Sequence, residues 1–159
     1  MKPNIFILTG EIRTGKTTCL QRWAAQRKDV YGIISPVINN ERVFMNVQSK
    51  EMCKMEATDE EAEILLIGRY IFSKRSFEFA IATIQSFLHN TSGWLLIDEC
   101  GPLELRGEGL DEVIKKVLNL RQKNLSIVVV VRNSLLNDVI AHYGLNQDDI
   151  KIVQSSFFL

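Results

Sequence analysis

Apolar residues fall into short runs and helical stripes that take turns along the chain. The run Ile5-Phe6-Ile7-Leu8 marks a short strand over 4–9. A helix over 16–27 puts Leu20, Trp23 and Ala24 on one face. Residues 31–38 read as a strand, Asn39-Asn40 as a turn, and 43–47 as the antiparallel return. Thr58 with Glu61 has the spacing of a capping box ahead of Ile64-Leu65-Leu66, which predicts a helix start there. Ser73 is placed to cap a helix whose apolar face is Phe77, Ala80, Ile81, Ile84 and Phe87 with Leu88.

Residues 94–97 form a fully apolar strand, and Leu110, Val113, Ile114, Val117 and Leu118 make a helical stripe. Residues 125–131 hold five apolar residues in a row, which suits a central parallel strand covered on both faces. Leu135, Leu136, Val139 and Ile140 give a last helix, stopped near Gly144, and 150–153 a closing strand. Strand and helix alternate, so the expected fold is a three-layer α/β domain. Its sheet is mainly parallel, with an antiparallel hairpin added around 31–57.

Composition narrows the functions. The 159 residues fit one domain, 1–159, with a proper core. Lys+Arg and Asp+Glu balance at 19 each, so no bulk field draws the chain to nucleic acid or an anionic membrane. The N-terminal apolar run is too short for a signal peptide or a span. Cys19, Cys53 and Cys100 are scattered without CxxC spacing, which suggests reduced thiols and a cytoplasmic setting. His89 and His142 sit in helical patterns without ligand spacing and read as surface or helix-end residues.

Chemistry concentrates in two places. Gly10-Glu11-Ile12-Arg13-Thr14-Gly15-Lys16-Thr17 matches G-x-x-x-x-G-K-[ST], the Walker A pattern, between a predicted strand and a predicted helix. Unpaired N–H groups at a helix N-terminus bind anions, and the glycines let backbone approach a phosphate. The loop from Gly10 to Thr18 is therefore the expected nucleotide-binding stretch. Lys16 is expected to reach the β- and γ-phosphates, Thr17 to ligate Mg2+, and Thr18 to meet the α-phosphate. Arg13 either arches over the phosphates or is solvated at the loop apex. Glu11 puts negative charge near a polyphosphate, so its side chain is expected to face away.

The second place is Trp94-Leu95-Leu96-Ile97-Asp98-Glu99, an apolar strand ending in two carboxylates, a Walker B pattern. Asp98 is expected to hold Mg2+, and Glu99 to polarise a water for in-line attack on the γ-phosphate.

With the residues that follow, Cys100-Gly101-Pro102-Leu103-Glu104-Leu105, the chain resembles the small nucleoside triphosphatases known as cancer-related or thermophile-type NTPases. The likeness also takes in Gly32-Ile33-Ile34-Ser35, Arg69-Tyr70-Ile71-Phe72 and Val131-Arg132-Asn133, and so most of the chain. It implies a phosphate-loop NTPase fold, RecA-like or kinase-like, and Mg2+-dependent hydrolysis of ATP, GTP and other nucleoside triphosphates, slowly and with loose base preference. Carried over by position, Lys16 and Thr17 bind phosphate and metal, Asp98 supports the metal and Glu99 is the base. Two departures are visible: Asn133 stands where relatives often have a second basic residue, and Arg13 where they often have glycine.

Arg132, just past a central strand, either stabilises the transition state as a catalytic residue or pairs with a nearby helix. Arg106 is a weaker candidate for the same role. Cys100 reads as small buried filler. Glu104 could close the loop before the helix at Leu110. The tail Phe157-Phe158-Leu159 is either a docking element or buried against the last strand.

Two other functions stay open. One is a nucleotide or small-metabolite kinase, with the acidic 51–63 stretch covering an acceptor. The other is a nucleotide-dependent switch or binding module. No protein partner is indicated.

Overall fold

A computed structural model describes residues 3–11, 15–58, 63–68 and 70–159. Ile12, Arg13 and Thr14 of the loop, Glu61 of the expected capping box and Arg69 lie outside the described residues.

The apolar runs become the middle of one twisted sheet. Strands β1 (Asn4–Gly10), β2 (Val30–Ile34), β8 (Gly93–Ile97), β9 (Leu125–Arg132) and β10 (Ile150–Val153) lie in the order β10-β1-β9-β8-β2, all parallel. The sheet then turns antiparallel: β4 (Glu41–Asn46) pairs with β2, and β3 (Val37–Ile38) and β5 (Met52–Lys54) both pair with β4. The expected hairpin around 31–57 is thus this antiparallel edge.

Alternate residues of each central strand face opposite layers. Ile5, Ile7, Leu95, Ile97, Ile127 and Val129 pack with α2 (Lys74–Phe87), α4 (Asp111–Leu118) and α5 (Leu136–His142). Phe6, Leu8, Leu96, Val128 and Val130 face α1 (Lys16–Ala25) through Leu20 and Ala24. One helix is too narrow to cover that face, and the C-terminal turn fills it. Phe158 is buried edge-on against Trp23, and Trp23 edge-on against Trp94. Each such ring pair adds about 0.5–1.5 kcal/mol beyond its burial. The tail therefore covers α1 and the sheet rather than the last strand, with Leu159 left exposed.

Three expectations change. The single strand over 31–38 is two strands, because Pro36 offers no N–H and the chain bends at Ser35-Pro36 toward Asp98. Ile64-Leu65-Leu66 does not begin a helix. β6 (Ile64–Ile67) and β7 (Tyr70–Ser73) form an antiparallel hairpin with Gly68 at φ 53. The residues there alternate, Leu65 and Ile67 packing on the core and Ile64 and Leu66 exposed, which is the period of a strand. The hairpin joins the body through the segment after β5: Ser73 N–H donates to the Met55 carbonyl at 2.7 Å and Ala57 N–H to Ile71 at 2.9 Å. Ser73 does stand at the N-cap of α2, but its side chain makes no cap bond; its carbonyl accepts the Ser76 hydroxyl at 2.7 Å. Among the described residues no helix is long and apolar enough to cross a membrane.

Gly32 sets how closely β2 approaches β8. Its φ is +107°, and a Cβ there would stand 2.1 Å from the Leu96 carbonyl oxygen. No other residue type fits.

Candidate active site

The C-terminal ends of the parallel strands gather the charged residues. β1 ends at Gly10, and α1 opens at Gly15, whose φ of 81° lies in the left-handed region. An ideal Cβ on Gly15 meets no atom within 4 Å, so the glycine leaves open space at the helix mouth where an anion can sit. Lys16 is buried, and its Nζ donates to the Glu11 carbonyl at 2.9 Å and the Gly10 carbonyl at 3.4 Å. The ammonium therefore lies folded along the loop, beside the helix N-terminus. Glu11 itself is exposed.

Thr17 and Asp98 meet directly. The Thr17 hydroxyl donates to Asp98 Oδ2 at 2.6 Å, linking α1 to the end of β8. The same oxygen accepts the Ser35 N–H at 3.0 Å, and the Ser35 hydroxyl donates to the Asp98 carbonyl. Burial pushes the Asp98 carboxyl above its usual range, against the pull of the Thr17 and Ser35 hydrogen bonds. A hard hydroxyl and a buried carboxylate side by side are the donor set Mg2+ takes when phosphates and water supply the rest. Among the described residues no group of three His, Cys, Asp or Glu could hold a metal, so an all-protein cage is not made here.

Glu99 points elsewhere, and the peptide bond between it and Asp98 is cis. One carboxylate oxygen lies 3.6 Å from an Arg132 nitrogen and 4.0 Å from an Arg42 nitrogen. Burial, then the charge of Asp98, push the Glu99 carboxyl up, and the two guanidiniums oppose that. Arg132 pairs with the second carboxylate of the site and not with a helix.

Gly15, Lys16, Thr17, Thr18, Asp98, Glu99 and Arg132 thus line one cavity of about 600 Å3. Sequence reading passed over Ser35 and Arg42. Ser35 carries a usable signal, since a strand that stops at Ser-Pro ends beside its parallel neighbour's terminus. Arg42 carries none, being an ordinary polar position on a hairpin strand.

Neighbouring residues play other parts. Glu104 is buried in α3 (Pro102–Leu105), and its carboxylate accepts the Gly101 N–H at 2.8 Å and the Leu110 N–H at 2.9 Å. It closes the loop from β8 to α4. Cys100 is fully buried, 3.8 Å from the Tyr143 hydroxyl. Arg106 turns away from the cavity to Glu108 and the Leu66 carbonyl. His142 meets Asp111 at 2.7 Å.

A parallel sheet flanked by helices, with a glycine-opened helix N-terminus beside a strand-end aspartate, defines a phosphate-loop NTPase fold. A family model described as NTPase matches residues 5–155, and the chain belongs to that NTPase family. The crystal structure of THEP1 from the hyperthermophile Aquifex aeolicus superposes with a TM-score of 0.69 at 17% identity, over 94% of this chain and 88% of that one. At that identity the likeness speaks for the fold. Among curated proteins none matches the chain.

Proposed function

We propose that the protein is a Mg2+-dependent nucleoside triphosphatase that releases the diphosphate and inorganic phosphate. The resemblance adds slow turnover and loose base preference. The observation that carries the reading is the Thr17–Asp98 contact at 2.6 Å with Glu99 set apart beside Arg132. One carboxylate is committed to the cradle and the other is available for proton transfer.

In this reading the N–H groups at the start of α1 and the Lys16 ammonium bind the triphosphate tail. Thr17 and Asp98 would hold Mg2+, which neutralises charge on the phosphates when bound. Glu99 orients a water and takes its proton as the oxygen attacks. Its carboxyl is held above the ordinary range by burial, which strengthens it as a proton acceptor. Arg132 and Arg42 turn from Glu99 to the negative charge that grows on the transferring group. The three cysteines, all free thiols, suit a reducing compartment such as the cytoplasm.

The test is acceptor-free phosphate release from ATP, GTP, CTP and UTP with Mg2+. Steady release above a Lys16→Ala control is expected; none from any of the four would refute hydrolysis.

A further inference from the structure

We propose that the cavity holds a second ligand beside the nucleotide: a flat aromatic molecule carrying a hydroxyl, its ring in an apolar chamber and its hydroxyl at Glu99. The inference rests on the phosphate-cradle reading and adds an acceptor to it.

Beyond the space taken by the nucleotide itself, hydrolysis needs room for one attacking water, about 30 Å3. The cavity is about 600 Å3, and its lining divides in two. Lys16, Thr17 and Asp98 form the polar end. The other end is walled by Phe44, Met55, Ile67, Tyr70, Phe72 and Phe77. These walls are aromatic and largely fixed. Phe44 and Phe77 pack edge to face, with ring centres 5.0 Å apart, and Tyr70 and Phe72 lie parallel at 5.8 Å. Phe44, Met55, Phe72 and Phe77 are each at most 6% exposed, so the surface is held in place before any ligand arrives. Pockets of this kind take flat apolar bodies oriented by a few polar groups.

The position of the chamber argues against its being the seat of the nucleotide's own base. Phe44, Met55, Phe72 and Phe77 belong to the α2 side of the sheet, whereas α1 packs on the opposite face. Thr18, placed for the α-phosphate, lies on α1, so the nucleoside departs on that side. From the cradle the cavity runs the other way along the sheet edge, past Asp98 on β8, Ser35 after β2 and Arg42 on β4.

Glu99 lines the same cavity and lies 4.0 Å from Arg42, which shares β4 with Phe44 of the apolar wall. A hydroxyl at Glu99 attacks the γ-phosphorus. The new O–P bond forms as the bond from the γ-phosphorus to the β–γ bridging oxygen breaks. That oxygen keeps the electron pair and leaves with the diphosphate, and the hydroxyl proton passes to Glu99. Water takes the same place when no alcohol is seated.

The test uses the full chain saturated with Mg2+ and ADP, with benzyl alcohol as the probe. Amide shifts at Val37, Ile67 and Tyr70 should saturate at millimolar probe. Tyr70→Ala, a half-exposed position, should weaken the probe at least fivefold more than it weakens ADP, and Ile67→Ala serves as the independent variant. With γ-labelled ATP, label should appear in benzyl phosphate. Absence of shifts at these residues overturns the proposal. So does competition between probe and ADP, which would put the nucleoside in the chamber, and so does label found only in inorganic phosphate. If ADP itself does not bind, the cradle fails first and the proposal falls with it.

Discussion

Glu104 offers a measurement whose size follows from the structure. The carboxyl is 3% exposed, and burial pushes its pKa from an ordinary 4.5 up to about 7. Two backbone N–H groups oppose that rise, at 2.8 and 2.9 Å. A raised value means the folded chain holds the proton that the unfolded chain has released. The resulting stability is fully present below pH 4.5 and is lost as pH climbs through 7. For values of 4.5 and 7, the linkage relation gives roughly 2–3 kcal/mol more stability from this group at pH 5 than at pH 8. Other groups titrate in the same range, so the readout is the difference between wild type and Glu104→Gln in urea unfolding at the two pH values. Gln removes the ionisation at the cost of one acceptor, an offset that does not vary with pH. The gap between the proteins should favour wild type by roughly 2–3 kcal/mol more at pH 5 than at pH 8. A gap that stays flat would mean the two N–H groups hold the carboxylate ionised and outweigh burial, and the reasoning would be wrong.

Other outcomes follow from the same contacts. Gly32→Ala drives a methyl group to 2.1 Å from the Leu96 carbonyl oxygen, so it should cost at least about 3 kcal/mol and lower the melting temperature by about 6–12 °C; a melt within 2 °C of wild type would contradict the close approach of β2 and β8. Cys100 is buried with its thiol pushed up to about 12, so a thiol reagent at pH 8 should leave it unlabelled until the chain is unfolded, and Cys100→Ser should not change native labelling. Arg132→Ala should slow turnover by about 10²-fold, and Arg42→Ala, farther from Glu99 and more exposed, by less than about 10-fold. Steady-state kinetics with Mg2+ and ATP rank the two, and a larger loss from Arg42 would reverse the roles assigned here.

Much of this architecture could be read from periodicity. The central parallel strands β1, β8 and β9 are apolar on both faces, so each shows as an unbroken run, and the helices show clean stripes. The cradle was readable for a related reason: its fixed residues are contiguous, and its context is one strand and one helix. The hairpin at Ile64–Ser73 was not. Its strands are four residues long and apolar on both faces, which matches a helix turn as well as a strand. The spacing of Thr58 and Glu61 pointed to a helix ahead of residues that form a strand. Arg42 and the aromatic chamber were hidden because they come from elements far apart in sequence. Phe44, Met55, Phe72 and Phe77 lie in β4, after β5, in β7 and in α2, and only the fold brings them to one cavity with Glu99. The reverse holds for Arg132, whose position at a strand end was legible while its partner was not.

The division of labour between the two carboxylates is the central claim, and Glu99→Gln tests it most directly. Gln keeps the shape beside Arg132 and Arg42 but cannot take a proton. Binding of a fluorescent ATP analogue, measured alongside single-turnover phosphate release, should show affinity within about twofold of wild type and release slower by about 10²-fold or more. Release at the wild-type rate, or binding lost in step with turnover, would contradict the assignment.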